Sequence, residues 1–171
     1  HPVLVFAGAG SGKTRVLTYK IWHLIKDEIY KPNEILALTF TNKAASEMKE
    51  RIKDSINCDG VNVGTFHSIG ARILRMHINY LHEKYNSDFT IYDVADQKAL
   101  LKEVVEQLNI EEFKELNINF LRSQLDKFKN ASMSVEEVES KTNSFEDEKI
   151  AEVYKRYSEL LLSNNAVDFN D

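Results

Sequence analysis

A glycine-rich segment near the start of the chain has the composition of a phosphate-binding loop. Residues 7–14 read AGAGSGKT and lie between an apolar run at residues 3–6 and a segment with helical spacing of apolar residues. Glycines admit positive φ angles and leave room for an anion beside the backbone. The following helix presents unpaired N–H groups and the positive end of its dipole to that anion. In such a loop Lys13 reaches the β- and γ-phosphates of ATP, and the Thr14 hydroxyl binds Mg²⁺.

The loop departs in one position from the usual pattern G-x-x-x-x-G-K-[ST], because Ala7 stands where the first glycine is expected. A glycine-rich turn with a chance GKT is the alternative interpretation. By itself the loop does not distinguish a kinase, a transporter ATPase, a GTPase or a helicase. The residues predicted to contact the nucleotide phosphates are Ala7, Gly8, Ala9, Gly10, Ser11, Gly12, Lys13 and Thr14.

A second cluster, LTFTNKAA at residues 38–45, ends the next apolar run. The carboxyl ends of parallel strands meet at the sheet edge where ligands bind. Phe40 can stack on a base there, and Lys43 adds positive charge. Thr39, Thr41 and Asn42 can hydrogen-bond phosphate or sugar. In the alternative interpretation Phe40 belongs to the core and Thr41-Asn42 caps a helix, and residue chemistry alone leaves both open.

A third cluster, GTFHS at residues 64–68, follows a third short run with strand character. Thr65, His67 and Ser68 would then lie on the same sheet edge as Phe40. A lone histidine is usually structural, and Ser68 could simply cap a helix. Polar or aromatic clusters at three successive strand ends nevertheless favour a functional edge.

The elements that must position these clusters alternate strand, helix, strand, helix over residues 1–80. This order predicts a parallel sheet with residues 3–6, 35–39 and 61–63 as neighbouring strands. Beyond residue 82 the apolar spacing is helical, with Asp93 and Ser134 as candidate helix caps. Residues 89–92 are the one segment of this half that could form a strand. The fold class is therefore α/β, a parallel P-loop sheet followed by an all-helical subdomain.

Composition limits the class of protein. The chain has 171 residues, 43% of them hydrophobic, and no apolar run near the length of a membrane span. Cys58 is the single cysteine, so a reducing, cytoplasmic setting is expected. Net charge is −5, yet residues 1–80 carry 11 basic and seven acidic side chains, against 11 and 20 in the rest. Contact with a polyanion should therefore involve the first half.

The three clusters, in their order and spacing, closely resemble motifs I, Ia and Ib of the UvrD/Rep/PcrA helicases of superfamily 1. The matching segments are AGAGSGKTRVLT (7–18), ILALTFTNKAASEMKERI (35–52) and VGTFHSIGARILR (63–75). FTIYDVADQ (89–97) is similar to the entry of that family's helical 1B insertion, and VDFND (167–171) resembles its "DFDDL" segment. The resemblance covers essentially the whole chain, and alanine at the first loop position is common in the family.

The resemblance implies an ATP-dependent 3′-to-5′ helicase that acts on single-stranded DNA and its junctions with duplex, in repair or replication. It implies RecA-like domain 1A over residues 1–82, the 1B insertion over 83–166 and a return to 1A over 167–171. Lys13 and Thr14 would then hold ATP phosphates and Mg²⁺, with Arg15 near the adenine. The DNA contacts that it implies are Phe40, Thr65 and His67, with Asn42 and Lys43 as weaker candidates.

Several family elements are expected to lie outside this chain. The adenine-reading glutamine motif would precede His1, and the acidic DExx motif would follow Asp171. The second RecA-like domain with its arginine fingers would also follow, as part of the same parent chain. Asp168 and Asp171 are not expected to replace the acidic motif, since their segment follows a predicted helix and not a buried strand. The 171 residues alone are therefore expected to be inactive.

Three other functions remain open. A small-molecule kinase would need acceptor-binding arginines and a lid, and the second half offers only acidic helices. The chain could also be a DNA- or protein-interaction module without turnover. The third alternative is the helicase subunit of a recombination nuclease.

Overall fold

The computed structural model describes residues 2–8, 10–55, 60–110 and 118–171. For residues 54 and 55 it describes the backbone alone. Cys58 lies outside the described residues. The chain divides into two compact units, His1–Arg72 and Ile73–Asp171. The division falls earlier than the boundary near residue 82 that the change of apolar spacing indicates. The assignment of these units to domains 1A and 1B stays a prediction.

The first unit pairs two strands in parallel and packs helices against them. Its elements are α1 (Lys13–Lys26), a 3-10 turn (Pro32–Glu34), β1 (Leu36–Thr39), α2 (Asn42–Ser55), β2 (Asn62–Thr65) and the start of α3 (Phe66–His77). β1 and β2 run in register from Leu36↔Asn62 to Thr39↔Thr65. The core residues are Ile21, Ile35, Met48, Ile52 and Val63. The prediction that the second and third strands are parallel neighbours is therefore confirmed.

The predicted first strand at residues 3–6 is wrong for this structure. The segment forms no strand, and its apolar side chains are exposed, Phe6 to 90%. An apolar run supplies side chains that suit a buried strand, but a strand also needs a hydrogen-bonded neighbour. In the described residues of this unit, ladder pairing joins β1 and β2 alone.

The second unit is mainly helical. Its elements after α3 are a 3-10 turn (Ile78–Tyr80), β3 (Thr90–Tyr92), α4 (Val94–Leu108), α5 (Ile118–Asn130), α6 (Val135–Ser140), α7 (Phe145–Ser163) and β4 (Ala166–Asp168). The largest core cluster includes Leu101, Val104, Leu121, Val153 and Tyr157. Both predicted caps are confirmed: Asp93 accepts from the Ala95 and Asp96 N–H groups, and Ser134 accepts from Glu137 N–H. None of the described helices is long and apolar enough to cross a membrane.

The second unit is not all-helical, which corrects the predicted fold class. β3 and β4 pair in parallel from Thr90↔Ala166 to Tyr92↔Asp168. Asp168 therefore lies in a short buried strand, contrary to the expectation that it merely follows a helix. Residues 89–92 carry a weak strand signal in the sequence and residues 166–168 carry none, because the pairing of the two joins segments far apart in the chain.

Candidate functional site

The glycine-rich loop leads directly into the N-terminus of α1. Gly10 and Gly12 have positive φ angles of 74° and 88°, which side chains other than glycine adopt only with strain. Gly12 is the N-cap residue of α1 and has no side chain to cap it. The first N–H groups of a helix have no partner within the helix. Together with the helix dipole, they make this end of α1 attractive to an anion.

The Lys13 ammonium lies over the loop. Its Nζ donates to the carbonyl oxygens of Gly8 at 2.7 Å and Ala7 at 3.4 Å. Ser11 donates to the same Gly8 oxygen from Oγ at 2.7 Å and from its N–H at 3.4 Å. These contacts close the loop and keep a positive charge at its centre. Ala9, also predicted to touch the nucleotide, lies outside the described residues.

The space beside the glycines of the loop is open. A Cβ atom placed on Gly8, Gly10 or Gly12 would meet no other atom within 4 Å. Thr14, the predicted Mg²⁺ ligand, is half-buried in the first turn of α1. A surface depression beside the loop is lined by Gly10, Ser11, Gly12, Arg15, Val16 and Tyr19. None of these described lining residues is acidic, so a metal-holding carboxylate is not part of this depression.

The carboxyl end of β1 carries an exposed aromatic ring. Phe40 is 91% exposed, so the alternative that buries it in the core is excluded for this structure. Thr41 does cap α2, as the other part of that alternative predicted, because its Oγ1 accepts from Ala44 N–H at 3.2 Å. Thr39 Oγ1 donates to the Thr41 carbonyl at 3.0 Å and braces the same turn. Asn42 and Lys43 are exposed at the start of α2.

The carboxyl end of β2 is a tight reciprocal cap. Thr65 Oγ1 accepts from Ser68 N–H at 3.2 Å, and Ser68 Oγ accepts from Thr65 N–H at 2.9 Å. Gly64 is required by close approach, since a Cβ there would lie 2.6 Å from Ser68 Oγ. Thr65 is buried, whereas His67 in the first turn of α3 is exposed. Ser68 therefore has the capping role that the sequence left open, and it shares that role with Thr65.

A second exposed ring lies beyond the neighbouring strand. Thr39 and Thr65 are register partners, and the next residues are Phe40 and Phe66, the latter 64% exposed. Phe66 is not among the residues that the sequence predicted to contact DNA. The signal was present, because both rings directly follow a threonine that ends a strand. The edge of this sheet thus bears two exposed aromatic residues, with a lysine, Lys43, at the start of α2.

The acidic residues near the end of the chain are engaged within the second unit. Lys129 Nζ donates to Asp168 Oδ2 at 2.8 Å and to Asp171 Oδ1 at 2.6 Å. The Tyr157 hydroxyl donates to Asp168 Oδ2 at 3.0 Å. Burial raises the pKa of Tyr157 far above its usual value, and the charge of Asp168 raises it further, so the hydroxyl remains a donor. These two carboxylates are therefore already paired with a cation of the same unit. That they do not replace the acidic motif stays a prediction.

The chain belongs to the UvrD/REP helicase N-terminal domain family, whose model matches residues 1–171. It is 39% identical to DNA helicase II of Rickettsia typhi over 171 residues, which cover 99% of this chain and 26% of that protein. It is 40% and 38% identical to ATP-dependent DNA helicase PcrA of Staphylococcus epidermidis and of Bacillus subtilis, covering 99% of this chain and 23% of each relative. The chain therefore spans about a quarter of the length of these relatives. The resemblance read from the three motifs is confirmed.

Proposed function

We propose that this chain is the nucleotide- and DNA-binding N-terminal part of an ATP-dependent DNA helicase that moves 3′ to 5′ on single-stranded DNA. The observation that carries the proposal is the loop of residues 7–14, which holds the Lys13 ammonium beside the uncapped N-terminus of α1. Relatives named DNA helicase II and ATP-dependent DNA helicase PcrA, matched along nearly all of this chain, support it.

At the loop, the polyphosphate of ATP replaces the carbonyl contacts of Lys13. The ammonium then pairs with the β- and γ-phosphates, and the first N–H groups of α1 donate to the same oxygens. The remaining loop residues, from Ala7 to Gly12, supply backbone N–H groups and room. The Thr14 hydroxyl would hold Mg²⁺, which would supply the neutralisation of phosphate charge. Arg15, exposed in the first turn of α1, lies against the adenine.

At the sheet edge, a nucleobase stacks on Phe40 while the backbone phosphates meet polar groups. Asn42, Lys43 and His67 are exposed in the first turns of α2 and α3 and supply those groups. Thr39 and Thr65 act through the turns that they brace, because their hydroxyls are bonded there. Stacking accepts any base, which suits a protein that moves along a strand of arbitrary sequence.

Within this proposal, the first unit is part of RecA-like domain 1A and the helical second unit is the 1B insertion, with residues 167–171 returning to 1A. The partners are single-stranded DNA, its junctions with duplex, and the remaining motor domains of the parent chain. The setting is the cytoplasm, and the process is repair or replication.

Phe40→Ala should weaken binding to single-stranded DNA by about 1–3 kcal/mol, the usual contribution of one stacked base. The loss should be nearly the same for thymidine-rich and mixed oligonucleotides, because every base offers a π-face. Fluorescence anisotropy of a labelled oligonucleotide measures the affinity, and thermal melting checks the fold.

The matched control is Phe145→Ala, which removes an exposed ring from the second unit. Its DNA affinity should equal that of the unmutated chain. Equal losses in the two variants, or a Phe40→Ala chain that melts early and binds normally once folded, would refute a stacking role for Phe40.

A polypeptide of residues 1–171 alone should release phosphate from ATP no faster with single-stranded DNA than without it. Hydrolysis needs a carboxylate that holds the metal ion and orients water, and the two terminal aspartates are committed to Lys129. A phosphate-release assay, with a full-length relative such as Bacillus subtilis PcrA beside it, measures this. Robust DNA-stimulated release that Lys13→Ala removes would show that the carboxylate lies within these residues.

A further inference from the structure

Two side chains one turn apart on α1 contact each other beside the phosphate loop. Arg15 Nη2 donates to the Tyr19 hydroxyl at 3.5 Å. The Arg15 guanidinium carbon also lies 5.5 Å from the centroid of the Tyr19 ring, within the range of a cation–π contact. Positions i and i+4 are neighbours on a helix surface, so the helix itself brings this pair together. The guanidinium is therefore held by both the face and the hydroxyl of one ring.

The pair also forms one side of the depression beside the loop. The lining residues fall into two chemical groups: the loop backbone at Gly10, Ser11 and Gly12, and the α1 side chains Arg15, Val16 and Tyr19. The loop group suits a polyphosphate, as described above. The helix group is a cation, an aliphatic side chain and an aromatic ring, which together can pack against a flat, polar-edged aromatic base.

We propose that Tyr19 is a positioning residue of the nucleotide site, which holds the Arg15 guanidinium in the depression so that it stacks on the base of ATP. This inference rests on the proposed function, because the base is placed there only if the phosphates occupy the loop. A flexible arginine on an exposed helix face loses side-chain entropy when it binds. Tyr19 restricts the guanidinium beforehand, so less of that entropy is lost on binding.

The proposal therefore predicts that the affinity for the phosphates and the affinity for the base depend on different residues of one site. The loop recognises the phosphates, and the Arg15–Tyr19 pair recognises the base. Removal of Tyr19 should therefore affect ligands that carry a base and leave a ligand that consists of phosphates alone unaffected. A merely structural role, as a surface contact that stabilises α1, would affect both ligands alike.

The experiment compares Mg-ATP with Mg-tripolyphosphate by calorimetry on the unmutated chain and on variants. Tyr19→Ala should weaken Mg-ATP binding about 3- to 10-fold, the range expected when one weak polar contact and its preorganisation are lost. Its affinity for Mg-tripolyphosphate should not change. Tyr19→Phe keeps the ring and should recover part of the loss. In the double variant with Arg15→Ala the two losses should not add, because one residue acts through the other.

The matched control is Tyr30→Ala, which removes an exposed tyrosine of the same unit that does not line the depression. Both affinities should remain unchanged in that variant. Equal effects of Tyr19→Ala on the two ligands, or no effect on Mg-ATP, overturn the inference while the phosphate loop stands. A chain that binds neither ligand, or a Lys13→Ala variant that binds tripolyphosphate normally, overturns the proposed function itself.

Discussion

Lys13→Ala should lower the affinity for Mg-ATP by about 100-fold or more, because the variant loses the cation that we propose pairs with two phosphates. Each hydrogen bond to a charged group contributes about 1.5–3 kcal/mol, and every 1.4 kcal/mol is tenfold in affinity. Lys13 contacts only loop carbonyls among the bonds described for it. It is exposed, so the substitution should change the free energy of unfolding by no more than about 0.5 kcal/mol.

Calorimetry with Mg-ATP measures the affinity, and Lys20→Ala is the matched control. Lys20 is also an exposed lysine of α1, so the two variants lose the same charge from the same helix. If the loop is a phosphate site, Lys20→Ala should retain almost the full affinity. Similar losses in both variants would mean that nucleotide binding follows the overall charge of the unit and not the loop.

Lys129→Ala should destabilise the second unit by about 3–5 kcal/mol, the usual cost of removing one partner from a buried ion pair. The Lys129 side chain is 7% exposed and that of Asp168 is 3% exposed. Without the ammonium, Asp168 keeps the Tyr157 hydroxyl and the Asn170 N–H as donors, but its charge is no longer neutralised. Asp171 loses the same cation at 2.6 Å.

Urea unfolding followed by far-ultraviolet circular dichroism measures this loss, because the second unit is mainly helical. Lys127→Ala is the matched control on the same helix, since Lys127 is exposed and its described bond is a 3.5 Å contact with Gln124. The control should change the free energy of unfolding by no more than about 0.5 kcal/mol. If both variants unfold at the same urea concentration, the Lys129–Asp168 pair does not stabilise this unit.

The corrections concern features that depend on segments far apart in the chain. The run at residues 3–6 has the apolar composition of a buried strand, but the structure leaves it unpaired and exposed. The opposite is true of β3 and β4, because residues 89–92 gave only a weak strand signal and residues 166–168 gave none, yet the two segments pair with each other. In both cases the local sequence indicates whether a segment is able to form a strand, whereas the presence of a neighbouring strand decides whether it forms one.

The clusters at residues 38–45 and 64–68 also show that local chemistry permits roles between which only the tertiary structure decides. From sequence, Phe40 could be a core residue or a stacking platform, and Ser68 could be a cap or a ligand. Their chemistry permits both roles. The structure exposes Phe40 and turns Ser68 back onto the Thr65 backbone. Exposure depends on which residues from elsewhere in the chain cover a side chain, and a single local segment does not contain that information.

The sequence by itself determined the family, the loop and its order relative to the later motifs. These follow from residue type and spacing along one short stretch, such as glycines at positions 10 and 12 followed by a lysine that begins a helix. Tertiary structure alone decided that Asp168 is buried against Lys129 and Tyr157, and that Thr39 and Thr65 end neighbouring strands side by side. The physical reason is that helix starts, caps and tight loops are fixed by neighbours in sequence. Strand pairing and charge burial depend on chain segments that only folding brings together.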